Sequence, residues 1–238
     1  MTEKLSAEEF MRNYAAVKER LLRALESSGR SEKDVTLLAA TKTVDAKTIN
    51  FAIENGITHI GENRVQEFLS KYNDLAPVHR HFIGHLQTNK VRDITDKVEM
   101  IESVHSVKLA KEISKQATEK NITMDVLLEV NIGGEEQKSG FAPEDTENAV
   151  REASKLPGIK VCGLMCIPPA TDIPENARKY FRNMYKLFLD IRDKNIDNSS
   201  MSVLSMGMSG DFDIAVAEGA TLVRVGSALF GKRIYNRT

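Results

Sequence analysis

Apolar residues recur along this chain in two rhythms. Over residues 5–28, Leu5, Phe10, Tyr14, Val17, Leu21, Leu22 and Leu25 fall mostly three or four positions apart among charged residues, and Gly29 follows. That spacing predicts an amphipathic helix with a glycine stop. Short, nearly continuous apolar runs come next: VTLLAATK, ITHIGE, RHFIG, MIESV, TMDVLLEVNI, IKVCGLMCI, SVLSMG and TLVRVG. Such runs suit parallel strands covered on both faces. Helical patterns such as DAKTINFAIENG, SVKLAKEISKQATEKN and NARKYFRNMYKLFLDIRDKN separate them. Eight strand–helix repeats predict a single (β/α)8 TIM barrel over residues 1–238. An open doubly wound sheet is the alternative, because periodicity alone does not show closure. The segment after the last strand, SALFGKRIYNRT, is too short for a full closing helix, so the N-terminal helix is expected to fill that gap in the outer ring.

In such a barrel the chemistry gathers at the C-terminal ends of the strands. Read in order, those ends offer Lys42, Glu62 with Asn63, Gly84 with His85, Ser103 and His105, Asn131, Met165 with Cys166, the turn SMGMSGD, and RVGS. Lys42 closes an apolar run, where a lysine either snorkels to water or meets something that needs a primary amine. An apolar wall disfavours the charged form, lowering the pKa and leaving an amine able to attack an aldehyde. SMGMSGD (205–211) and RVGSALFG (224–231) carry glycines, hydroxyls and helix starts, and loops after strands seven and eight are the usual phosphate site of this fold. A phosphate anchor opposite a Schiff-base lysine is the pattern that holds pyridoxal phosphate. An aldolase-like barrel acting on a sugar phosphate would show similar parts.

Composition narrows the setting. The 238 residues carry 33 basic and 34 acidic side chains, interspersed, for a formal charge of −1. No basic face argues for nucleic acid, no anionic membrane surface is addressed, and no apolar run reaches membrane-spanning length. The charged start, MTEKLSAEEF, carries no secretory pattern. The two cysteines, Cys162 and Cys166, would lie roughly 13 Å apart on a strand. They are expected to be free thiols in a reducing cytoplasm, which makes chance matches of the sequons at Asn121, Asn198 and Asn236. The histidines of HRHFIGH invite a metal reading, but no further ligand cluster completes a shell.

The strings LLAATK, GENRVQE, HFIGHLQTNK, VNI…KSGF, GLMCIP and LSMGMSGDFDIAVAEGATLVRVGSALFG, spread from about residue 35 to 231, resemble the pyridoxal phosphate homeostasis protein family. The resemblance implies a fold like the barrel domain of bacterial alanine racemase, with pyridoxal phosphate as cofactor. It implies that Lys42 forms the Schiff base and that Asn63 lies beside the ring. Ser205 or Ser209, with Gly226 and Ser227, would hold the phosphate, and Arg224 would face the pyridine nitrogen or the phosphate. Glu218 is an alternative, structural partner for Arg224. His85 receives no role, and Lys138 and Ser139 in the polar loop at 133–145 either touch a ligand or cap the segment.

An arginine at the pyridine nitrogen cannot keep that nitrogen protonated as a carboxylate would, because a guanidinium is not deprotonated in proteins. Carbanion stabilisation is then weak. The five tyrosines, at 14, 72, 180, 185 and 235, lie in predicted helices or the tail, so none of them faces Lys42 from a strand end as an opposing acid. The expected role is therefore non-catalytic: buffering pyridoxal phosphate or delivering it to apo-enzymes, by a cytoplasmic monomer. A weak amino-acid racemase is the alternative, and a Schiff-base aldolase ranks third.

Overall fold

The computed structural model describes residues 5–231. Eight parallel strands close into a barrel in sequence order, with the first paired to the last. They are β1 Thr36–Ala40, β2 His59–Glu62, β3 His79–Phe82, β4 Met100–Val104, β5 Met124–Val130, β6 Ile159–Cys166, β7 Ser199–Met208 and β8 Leu222–Val225. Closure excludes the open-sheet alternative. The helices are α1 Ala7–Ser27, α2 Ala46–Glu54, α3 Val65–Lys71, α4 Val91–Ile94, α5 Val107–Glu119, α6 Thr146–Ser154, α7 Arg178–Arg192, α8 Phe212–Ala217 and α9 Ser227–Phe230.

A reciprocal capping box starts α1: the Ser6 N–H donates to Glu9 Oε2 at 2.8 Å, and the Glu9 N–H donates to Ser6 Oγ at 3.1 Å. This helix packs on α8 and on the one-turn α9. Phe10 stacks on Phe230 at 5.7 Å, and Asn13 Nδ2 donates to the Leu229 carbonyl at 3.0 Å. The N-terminal helix thus joins the outer ring beside α8 and α9.

Successive strand residues point alternately outward and inward. Ala39, Ile60, Phe82, Ile101, Val104, Leu128, Leu204, Val223 and Val225 belong to the large core shared with the helices. The barrel interior holds two small apolar groups. Leu38, Ala40, Ile83 and Leu222 form one, and Met100, Leu127, Cys162 and Met165 form the other; Val203 packs against both. The same alternation directs four polar side chains inward: His81, Glu102, Ser205 and Arg224, all buried. On β1 the inward series is Leu38, Ala40 and then Lys42, one step beyond the strand end. The barrel interior therefore holds a buried polar column beside two apolar groups, with Lys42 at the rim.

Candidate functional site

The C-terminal rim holds a cavity of about 590 Å³. Lys42, Asn63, Ser209, Arg224, Gly226 and Ser227 line it, with an apolar wall of Ala40, Ile83, Ile167 and Met208. Six of the seven residues that the resemblance assigns to the cofactor meet here. The wall residues were not anticipated, although Ile83 and Ile167 occupy inward positions at the ends of their strands.

Lys42 is half-buried and sits in a loop held from below. Lys71, at the end of α3, donates from Nζ to the carbonyls of Thr41 at 3.0 Å and Val44 at 3.2 Å. The same ammonium pairs with Glu62 Oε1 at 2.8 Å and Glu67 Oε1 at 3.3 Å. Thr41 Oγ1 donates to Glu62 Oε1 at 2.5 Å, and the Thr43 N–H donates to Glu67 Oε1. Thr43 has φ of +65°, a left-handed conformation that a β-branched residue adopts only when its surroundings enforce it. Glu62 and Lys71 are almost fully enclosed, and burial raises the Glu62 pKa against the pull of Lys71. The GENRVQE string thus does two jobs. Asn63 faces the cavity, while Glu62 and Glu67 brace the loop on either side of Lys42.

Asn63 rests directly on Gly84. A Cβ at position 84 would come within 2.1 Å of the Asn63 carbonyl oxygen, so only glycine allows this approach. Opposite, the turn after β7 meets the start of α9. Ser209 Oγ accepts the N–H groups of Gly226 at 3.1 Å and Ala228 at 3.2 Å. Two backbone donors therefore converge on one oxygen at a helix start, the donor set a phosphate oxygen takes.

Ser205 is elsewhere. Strand β7 continues to Met208, so Ser205 lies within the strand and not in the turn. Its inward side chain is fully buried beneath the rim, donating to Glu102 Oε2 at 2.5 Å and accepting from Arg224 Nη1 at 2.5 Å. Ser209 lines the cavity and Ser205 does not. Arg224 also departs from one alternative. Its Nη2 donates to the Cys166 carbonyl at 2.9 Å, inside the barrel. Glu218 pairs outside with Arg178 at 2.7 Å and Arg182 at 3.1 Å.

The remaining candidates are accounted for by contacts away from the cavity. His85 stacks on His105 at 4.4 Å and shares a hydrogen bond of 3.2 Å with Ser139. Lys138 donates to the Pro168 carbonyl at 3.1 Å and pairs with Glu135. His79 pairs with Glu99 and His81 with Glu102, each at 2.6 Å. Among the described residues no group of three or more histidine, cysteine or carboxylate side chains is placed to hold a metal ion, and no helix is long and apolar enough to cross a membrane. Cys162 and Cys166 are buried free thiols, their pKa values pushed up by burial to about 11 and about 12. Tyr14 lies on α1, Tyr72 follows α3, and Tyr180 and Tyr185 lie on α7. Tyr235 and Asn236 fall outside the described residues.

Residues 12–234 match the family described as alanine racemase, N-terminal domain. A pyridoxal phosphate homeostasis protein of Aquifex aeolicus is 47% identical over 92% of this chain and 96% of its own length. The chain belongs to the pyridoxal phosphate homeostasis protein family. Another member, from Pseudomonas aeruginosa, is 39% identical over 94% of this chain and 95% of its own. Among solved structures, PipY of Synechococcus elongatus with PLP bound superposes with a TM-score of 0.77 at 32% identity, covering 90% of this chain and all of that one. An alanine racemase of Clostridium difficile superposes at 0.71 with 16% identity, over 92% of this chain and 60% of that one, a likeness of fold alone. The homeostasis proteins are thus matched along nearly their whole length, and the racemase over 60% of its own.

Proposed function

We propose that this chain binds pyridoxal 5'-phosphate reversibly at the rim cavity and acts in vitamin B6 homeostasis by buffering or delivering the cofactor. The observation that carries this reading is one cavity lined by Lys42 just beyond β1, by Ser209, whose Oγ accepts the N–H groups of Gly226 and Ala228, and by Arg224 from β8. The names of the relatives and the bound cofactor of PipY support it. When bound, the cofactor supplies an aldehyde and an electron-accepting ring. Lys42 provides the amine that joins the aldehyde. Ser209 and the backbone of Gly226 and Ser227 anchor the phosphate. Asn63 and the apolar wall of Ile83 and Ile167 confine the ring, and Arg224 donates to its nitrogen.

A guanidinium at that nitrogen keeps the ring a poor electron sink, and the described tyrosines lie on helices or beside them, so the reading is of a carrier and not a catalyst. We further infer a monomer in a reducing cytoplasm, where Cys162 and Cys166 stay reduced, with apo-enzymes that use the cofactor as recipients.

Reconstitution with pyridoxal phosphate tests this. The wild type should turn yellow, and borohydride followed by peptide mapping should label Lys42; Lys42→Ala should lose the colour while keeping some affinity through the phosphate turn. Labelling chiefly at Lys138 or Lys90 would sink the assignment. Rapid exchange of an amino acid's α-proton would favour the weak racemase instead. Activation of an apo-enzyme only when it can touch the loaded protein, and not across a size-excluding membrane, indicates direct delivery.

A further inference from the structure

Four buried polar side chains from four different strands form a continuous chain inside the barrel. His81 Nδ1 lies 2.6 Å from Glu102 Oε1, Ser205 Oγ lies 2.5 Å from Glu102 Oε2, and Arg224 Nη1 lies 2.5 Å from Ser205 Oγ. Their exposures are 6%, 0%, 0% and 4% in the order His81, Glu102, Ser205, Arg224. At one end Arg224 lines the rim cavity. At the other, His81 lines a second cavity of about 400 Å³ with His59, Met100 and Leu222.

Proton inventory sets the direction of this chain. A guanidinium has only donors, so Ser205 Oγ must accept from Arg224. The single serine proton then goes to Glu102 Oε2, which must be an unprotonated oxygen. Burial alone would neutralise Glu102, but its bonds to His81 and Ser205 and the charge of Arg224 outweigh burial and hold its pKa below the ordinary value. An ionised Glu102 requires His81 to donate from Nδ1. Every donor along the column therefore points toward Glu102. Arg224 is held at Nη1 by Ser205 and at Nη2 by the Cys166 carbonyl, which leaves its remaining N–H groups for the cavity. Burying a cation with so little exposure requires a countercharge. Glu102 supplies it, one hydroxyl away.

We propose that Glu102 and Ser205 are positioning residues for the cofactor, fixing the Arg224 guanidinium so that it donates to the ring nitrogen; this rests on the pyridoxal phosphate reading above. Neither residue touches the cavity. The alternative, a purely structural polar plug, would affect any ligand of the same shape equally.

The experiment compares pyridoxal phosphate with its carbocyclic analogue, in which C–H replaces the ring nitrogen, on the full-length protein. Ser205→Ala, which removes the hydroxyl without adding volume, should weaken pyridoxal phosphate about tenfold, corresponding to about 1.4 kcal/mol. It should leave the analogue within about twofold. Glu102→Gln keeps the size but not the charge, and should show the same selectivity. The thermal midpoint of each unliganded variant reports whether it folds. If either folded variant weakens both ligands alike, or neither, the positioning role is overturned. A wild type that binds the analogue and pyridoxal phosphate equally well also overturns it, by removing Arg224 from the nitrogen. A wild type that binds neither refutes the cofactor reading itself.

Discussion

Replacing Lys71 by methionine removes the ammonium that joins the Lys42 loop to Glu62 and Glu67. Its ammonium makes four contacts, at 2.8 Å to Glu62, 3.0 Å to the Thr41 carbonyl, 3.2 Å to the Val44 carbonyl and 3.3 Å to Glu67. Methionine keeps the apolar stem but leaves Glu62 as an uncompensated buried charge, with Oε2 already lacking a hydrogen-bond partner. Breaking a buried pair from one side costs about 3–5 kcal/mol. The cost should depend on pH in a definite sense. Burial raises the folded-state pKa of Glu62 above 4.5, and loss of Lys71 raises it further. The folded protein then holds a proton that the unfolded chain releases, so stability falls as pH rises from 4.5 through the folded pKa, and is level above it. Urea unfolding should show the full loss at pH 8 and a smaller one at pH 5. The double variant Glu62→Gln with Lys71→Met removes both charges and should recover about 2 kcal/mol of the single-variant loss at pH 8. A loss below about 1 kcal/mol at pH 8, or a double variant no more stable than Lys71→Met, would refute the role given to this pair. Labelling of Lys42 by pyridoxal phosphate and borohydride should slow in Lys71→Met, because the loop loses its fixed register.

Three further outcomes follow from the same geometry. Gly84→Ala forces its Cβ against the Asn63 carbonyl, at 2.1 Å in the unrelaxed structure; it should cost about 1–3 kcal/mol in urea unfolding and weaken pyridoxal phosphate, and wild-type behaviour would mean that the rim yields easily. Ser209→Ala should weaken pyridoxal phosphate by about 0.5–1.5 kcal/mol and leave pyridoxal, which lacks the phosphate, nearly unchanged; equal losses in equilibrium titrations would make that turn structural. Cys162 and Cys166, with pKa values of about 11 and about 12, should resist a thiol-reactive dye at pH 8 until the protein unfolds, and fast labelling of the native protein would contradict their burial.

Much of the architecture is a local property of the chain. Eight apolar runs and the helices between them are readable because burial on two faces and burial on one leave different periodicities. The placement of Lys42 is equally local, since Leu38, Ala40 and Lys42 share one side of an extended segment wherever that segment packs. Gly226, Ser227 and Ser209 are marked by their position after the last two strands. Tertiary structure decided the rest. Ser205 and Ser209 stand in one string, and only the pairing of β7 with β8 carries the strand to Met208, turning the first serine into the barrel and leaving the second at the turn. Glu218 looks as near to Arg224 as any acid, yet one lies on the helical side and the other on the inner face. Ser205 and Arg224 stand in one string, but His81 and Glu102 lie more than a hundred residues before it, and no spacing joins the four. Each is merely a polar residue in an apolar run until closure of the sheet turns four inward positions toward one axis. There, a buried charge must find its partners among whatever the other strands present.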